Sequence, residues 1–119
     1  MILVDTSVWV DHLRMGDSDL VRALQAGEVL VHPFVIGEIA LGHLKDRQLV
    51  LDLLAGLPPV AVVDDPVIWR FIEEAGLAGR GIGYVDVHLL ASARATDGGR
   101  LWTRDRRLAA LARDLDLSI

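Results

Sequence analysis

Short apolar segments rich in β-branched residues alternate with longer segments of helical periodicity along this chain of 119 residues. Repeated alternation of strand and helix predicts a mainly parallel sheet with right-handed crossovers and helices on both faces. We therefore predict an α/β fold, a three-layer α/β/α sandwich with a four- to five-stranded sheet, formed by a single domain over residues 1–119. The predicted strands cover residues 2–5, 29–31, 60–63 and 101–103, with residues 117–119 as a short edge strand.

Two of the predicted helices carry an acidic residue in an apolar setting. Pro33 suits the first turn of a helix that contains Glu38 and is apolar nearly all round, which predicts a helix that is central or partly buried in a subunit interface. After a glycine-rich loop at residues 76–83, a second helix runs from Tyr84 to Ala95 with Asp86 in its first turn.

Four acidic residues each follow a predicted strand or lie in a helix that follows one. Ligands of parallel sheets bind beyond the carboxyl ends of the strands, so these acids are expected to meet at one edge of the sheet. Taken singly, three of them have a purely structural alternative: Asp86 and Asp105 could stabilise helix N-termini, and Asp5 could begin a turn. Together the acids would repel one another strongly, which predicts a bound cation. The four are Asp5, Glu38, Asp86 and Asp105.

The residue types around these acids favour a hard metal ion. The chain has no cysteine, and its four histidines show no pair at the spacing of zinc ligands. Carboxylate oxygens with water suit Mg²⁺, with Mn²⁺ as the alternative. Magnesium held by several carboxylates is suited to hydrolysis of phosphodiesters, because the ion activates water and neutralises phosphate charge.

Net charge argues against nucleic-acid binding through a broad positive field. The formal net charge is −5, which speaks against such a field but does not exclude local basic patches that contact a phosphate backbone. The first apolar run is interrupted by Asp5, so neither a signal peptide nor a membrane span is expected there. Together with the absence of cysteine, this predicts a cytoplasmic protein without membrane contact.

Four segments, in this order and spacing, resemble the PIN-domain ribonucleases, and within them the VapC-type toxins of bacterial type II toxin–antitoxin systems. The resemblance covers nearly the whole chain, and no single segment is sufficient alone. The segments are Ile2-Leu3-Val4-Asp5-Thr6-Ser7-Val8-Trp9, Glu38 within its helix, Asp86-Val87-His88-Leu89-Leu90-Ala91, and Leu101-Trp102-Thr103-Arg104-Asp105.

This resemblance implies a Mg²⁺-dependent endoribonuclease with a PIN-like fold. The catalytic residues would be Asp5, Glu38, Asp86 and Asp105, of which Asp5, Asp86 and Asp105 would bind the metal and Glu38 could act through water. Thr6 and Thr103 match hydroxyl positions that orient carboxylates. A water would attack phosphorus and the 3′ oxygen would leave, giving a 5′-phosphate product. RNA contacts are predicted at Arg80, Arg104 and Arg106, with Arg107 beside them.

The same resemblance implies partners. A homodimer is expected, as is a cognate VapB-type antitoxin whose tail occupies the active-site groove, giving a heterotetramer or larger complex. Apolar residues on two helices are candidate interface positions, although each could equally belong to the core. They are Ile36, Ile39, Val67, Ile68 and Phe71.

Two other functional classes fit part of the pattern. A receiver-type phosphoacceptor domain shares the length and the acidic magnesium pocket, and Asp64-Asp65 resembles its paired acids. That pair should follow the first strand rather than the third, and the expected late lysine is missing because Lys45 is the only lysine. A phosphatase of the haloacid-dehalogenase type would need an aspartate where Ser7 stands. A non-catalytic PIN binding module would be expected to lose acids, and all four are present.

Overall fold

The computed structural model describes all residues 1–119 as three strands and seven helices. The strands are β1 (Ile2–Val4), β2 (Val29–Leu30) and β3 (Arg100–Trp102). They form one parallel sheet in the order β2-β1-β3. The helices are α1 (Thr6–Met15), α2 (Ser18–Gln25), α3 (Pro33–Ala40), α4 (Arg47–Ala55), α5 (Asp65–Glu74), α6 (Tyr84–Ala95) and α7 (Arg106–Asp114).

Both faces of the central strand are covered. Leu3 and Val4 are adjacent in β1 and point to opposite faces of the sheet, yet both are completely buried. Helix α6 contacts β1 and β3, and its residues 87–93 are buried without interruption. The structure therefore confirms an α/β fold with a parallel sheet, and it shows a core centred on β1 and α6.

The prediction of four to five strands is wrong, because the sheet has three. Residues 60–63 form no strand, and the one pairing next to them is an isolated parallel bridge between Val31, just after β2, and Pro59, just before the segment. Pro58 and Pro59 have no backbone N–H, so they cannot donate to a continuous ladder. The predicted edge strand at residues 117–119 is likewise reduced to one bridge, between Leu101 and Ser118.

Of the two predicted places for α3, the central one is wrong, and burial in a subunit interface stays a prediction. Val35 and Ile39 are its buried residues, whereas Phe34 is partly exposed and Glu38 is exposed. The core is instead occupied by α6, because that helix packs against two strands and α3 contacts α1 and α4. An apolar composition alone does not tell which helix crosses the sheet.

Helix starts place several polar residues at the same end of the molecule. Asp5, immediately after β1, is the N-cap of α1, and Asp105, shortly after β3, is the N-cap of α7. Val4 pairs with Trp102, so the segments that follow the two strands leave the sheet side by side. None of the seven helices combines the length and apolarity that a membrane span requires.

Candidate active site

Asp5 lies at the carboxyl end of the central strand and is held by two hydroxyl groups. Its side chain is only 7% exposed. Oδ2 accepts hydrogen bonds from Ser7 Oγ at 2.7 Å and from Thr103 Oγ1 at 2.8 Å. Hydroxyl donors to an ionised carboxylate make strong hydrogen bonds and fix its orientation. The Asp5 carboxylate is therefore held in a fixed orientation, and both of these hydrogen bonds are accepted by Oδ2.

The same hydroxyl groups connect Asp5 to the segment that starts α7. Thr103 Oγ1 accepts the Asp105 N–H at 3.1 Å, and Ser7 Oγ accepts the Arg104 N–H at 3.0 Å. Asp105 Oδ1 in turn accepts the Leu108 N–H at 2.9 Å, so this carboxylate also caps the helix. Asp105 thus has a structural role at the helix start and lies beside the residues that hold Asp5.

Ser7 is a site residue that the sequence reasoning missed. Thr103 contacts Asp5 as expected for an orienting hydroxyl, but Thr6 turns toward Glu38, with Thr6 Oγ1 donating to Oε1 at 2.9 Å. Helix α1 begins directly after Asp5, and its second residue, Ser7, lies two positions after Asp5 with its hydroxyl on the Asp5 carboxylate. That offset is the sequence signal that could have identified Ser7.

Asp86 is the acid on which the charges of the other three predicted acids act. Its carboxylate accepts the Gly83 N–H at 3.1 Å in the first turn of α6. Burial raises the pKa of Asp86 above its usual range, and the negative charges of Asp5, Asp105 and Glu38 raise it further, against the lowering effect of the Gly83 hydrogen bond. The structure therefore places the other three predicted acids within electrostatic range of Asp86.

No three acidic or histidine side chains converge closely enough to form a ready-made metal-ligand set. Electrostatic repulsion acts over several ångströms, whereas direct coordination needs oxygens at about 2.0–2.6 Å from one point. Unneutralised carboxylates repel one another, so the two observations are compatible. An all-carboxylate environment with hydroxyl support fits a hard cation that keeps part of its water shell, as Mg²⁺ does.

Comparison with known proteins shows the family of the chain. The family model described as "PIN domain" matches residues 2–114. The chain belongs to the PIN domain family. It is also 52% identical over 110 residues to "Ribonuclease VapC32" of Mycobacterium tuberculosis, in strains CDC 1551 / Oshkosh and ATCC 25618 / H37Rv. Each match covers 92% of this chain and 89% of the relative.

The arginines predicted to contact RNA differ in their surroundings within this PIN domain. Arg80 forms an ion pair with Asp114 at 3.2 Å. Arg104 forms ion pairs with both Asp11 and Asp17. Its hydrogen bond to Asp11 is the main cause that raises the pKa of the guanidinium, and Asp17 contributes less. Arg106 lies exposed in the first turn of α7 and forms no ion pair. RNA contact at all three positions stays a prediction.

Two histidines of this PIN domain are buried close to one another. His32 Nδ1 accepts the Phe34 N–H at 3.0 Å as the N-cap of α3, and its ring centroid lies 6.1 Å from that of His88. Burial lowers the pKa of His32 to about 4, with a smaller contribution from the charge of His88. His88 Nε2 lies 3.6 Å from Asp65 Oδ1, which also accepts the Tyr84 hydroxyl at 2.7 Å.

Proposed function

We propose that this PIN domain is a Mg²⁺-dependent endoribonuclease and the toxin of a toxin–antitoxin pair. The observation that carries the proposal is the cluster at the carboxyl edge of the sheet, where the pKa of Asp86 is raised by burial and by three other acids. Such a cluster is unfavourable alone and becomes a phosphate receptor when a cation neutralises it. The name of the relative, a ribonuclease of the VapC group, supports RNA as the substrate.

Each acid has a distinct place in the proposed reaction. Asp5, Asp86 and Asp105 would hold Mg²⁺ or Mn²⁺, and Glu38 would reach the ion through water. When bound, the ion supplies Lewis acidity and charge neutralisation at the phosphate. Ser7 and Thr103 keep Asp5 oriented.

Within this proposal, Glu38 has the role of proton acceptor. Thr6 donates a hydrogen bond to Glu38 Oε1, and no protein group donates one to Oε2. Because the Glu38 side chain is exposed, a proton from the attacking water would go to Oε2. Attack on phosphorus would expel the 3′ oxygen, which takes a proton from solvent water to become a 3′-hydroxyl, and leave a 5′-phosphate.

Assembly with other chains is part of the proposal. Val67 is 45% and Trp69 58% exposed on α5, while Leu49 and Leu53, one turn apart on α4, are 61% and 64% exposed. Exposed apolar side chains of this size support a homodimer and a VapB-type antitoxin as partners. Of the interface positions predicted from the sequence, Ile39, Ile68 and Phe71 are buried in the core. An RNA substrate would place the protein in the cytoplasm.

Cleavage of total RNA by the purified chain tests the function. With Mg²⁺ present, Asp5→Asn should reduce the rate by at least about 100-fold, because loss of a ligand removes several kcal/mol of charge stabilisation. Asp97→Asn is the matched control, since Asp97 is exposed beyond the far end of α6. Undiminished cleavage in excess EDTA would exclude the metal mechanism, and a wild-type rate for Asp5→Asn would exclude Asp5 as a ligand.

A further inference from the structure

A cleft of about 280 Å³ opens beside the acidic cluster. One wall is formed by Val10, Leu13 and Arg14 in the second half of α1, and the other by Glu38 and the turn after α3. Glu38 lines the cleft and accepts a hydrogen bond from Thr6, the residue next to Asp5, at 2.9 Å, and its charge also raises the pKa of Asp86. A ligand bound in the cleft would therefore lie next to the candidate active site.

The cleft is lined by three cationic or potentially cationic side chains. Arg14, His43 and Lys45 all contribute to its surface and are exposed. None of the five ion pairs of the structure involves any of them. By contrast, Arg80 and Arg104 are already paired with carboxylates. Binding a phosphate in the cleft would thus break no internal ion pair.

Charge decides which class of ligand this cleft suits. The chain has a formal net charge of −5 and only one lysine, and that lysine lies here with Arg14. An unpaired guanidinium binds phosphate oxygens in bidentate fashion, and an ammonium binds them as a point charge. Val10 and Leu13, 39% and 37% exposed, add an apolar wall suited to an unstacked base or a ribose. A single strand of RNA satisfies both features.

We propose that this cleft binds the RNA strand that flanks the scissile phosphate, with Arg14 and Lys45 contacting its backbone phosphates. The proposal rests on the proposed ribonuclease function and assigns the substrate contacts to residues other than Arg80 and Arg104. The RNA would run from the cleft, past Glu38, to the carboxylates around Asp5.

RNA binding without cleavage gives the direct test. The probe is a fluorescein-labelled single-stranded RNA of mixed sequence, titrated with the full chain carrying Asp5→Asn. In that background, Arg14→Gln with Lys45→Gln should weaken binding at least about tenfold. The slope of log Kd against log salt should fall by about 1.4, which corresponds to two lost phosphate contacts on a single strand.

The matched control removes two positive charges elsewhere. Arg70 and Arg113 are exposed, lie outside the cleft and form no ion pair, so Arg70→Gln with Arg113→Gln changes net charge equally. Equal RNA affinity of the cleft variant and this control would overturn the proposal. Retained RNA affinity with loss of binding to the cognate antitoxin would also overturn it, and would assign the cleft to a peptide.

Cleavage by the otherwise wild-type chain separates this inference from the function itself. In the active background the cleft substitutions should raise KM and leave kcat unchanged, because they remove ground-state contacts alone. If the wild-type chain cleaves RNA and the cleft variant matches the control, only the cleft assignment fails. If the wild-type chain neither cleaves nor binds RNA, both proposals fail.

Discussion

Replacing Thr103 with valine should destabilise this PIN domain far more than its partly exposed position suggests. The substitution keeps the side-chain shape but removes the hydroxyl that donates to Asp5 Oδ2 at 2.8 Å and accepts the Asp105 N–H at 3.1 Å. Asp5 is 7% exposed, so water cannot readily replace the donor. A hydrogen bond to a charged group contributes about 1.5–3 kcal/mol, so we expect a loss of about 2 kcal/mol.

Thermal and denaturant unfolding in EDTA measure this loss. For a chain of this size, about 2 kcal/mol corresponds to a fall in Tm of roughly 6–10 °C. Thr6→Val is the matched control, because the Thr6 hydroxyl donates to the carboxylate of exposed Glu38 and should contribute under about 1 kcal/mol. If Thr103→Val and Thr6→Val lowered the free energy of unfolding equally, the buried hydrogen bond from Thr103 to Asp5 would have no special role in stability.

Metal binding supplies a second measurement on the same variant. A carboxylate that loses an orienting hydrogen bond binds its ion less well, typically by about 10–100-fold. Titration of Mg²⁺ against Tm should therefore show a weaker midpoint for Thr103→Val than for Thr6→Val. An unchanged midpoint would mean that Thr103 stabilises the fold without orienting the proposed ligand.

Two further predictions concern titrating groups. The folded pKa of His32 is about 4, below its unfolded value of 6.5, so the folded state binds fewer protons and stability falls as pH drops through this interval. His32→Asn keeps a capping oxygen but has no titrating ring. Between pH 7.5 and 5, its free energy of unfolding should fall by about 2 kcal/mol less than that of the wild type, and parallel pH profiles of the two proteins would contradict this. Because the folded pKa of Asp86 is raised, its charge at neutral pH opposes folding, so Asp86→Asn should raise Tm in EDTA and abolish the rise caused by Mg²⁺. A lower Tm in EDTA would contradict the repulsion argument.

Local sequence signals were sufficient for the parts of the fold that depend on short-range chemistry. The segment Ile2–Val4 is a strand and Tyr84–Ala95 is a helix, as their composition and periodicity predicted. Parallel strands share one carboxyl edge, so the positions of Asp5 and Asp105 after strands indicated their neighbourhood. The metal-binding and catalytic roles of these acids remain predictions.

Competition between segments caused the errors. Residues 60–63 have strand composition, but they follow two prolines and form no strand, and only Pro59 before them bridges to Val31. Helix α3 is more apolar than α6 along its length, but α6 lies against two strands and is the more deeply buried. The exposure of Glu38 follows from that placement. Which apolar segment enters the core is a property of the whole packing and not of any one segment.

By itself, the sequence determined the strand–helix alternation and the presence of the four acids, and it predicted a hard cation, because spacing and donor chemistry are local properties. Only the tertiary structure decided which side chains serve those acids. Thr103 and Asp5 are 98 positions apart and meet through strand register, and Ser7 joins them because α1 begins directly after β1. The same packing pairs Arg104 with Asp11 and Asp17 and leaves Arg14 and Lys45 unpaired in the cleft. Contacts between distant residues depend on the three-dimensional arrangement, which no local pattern specifies.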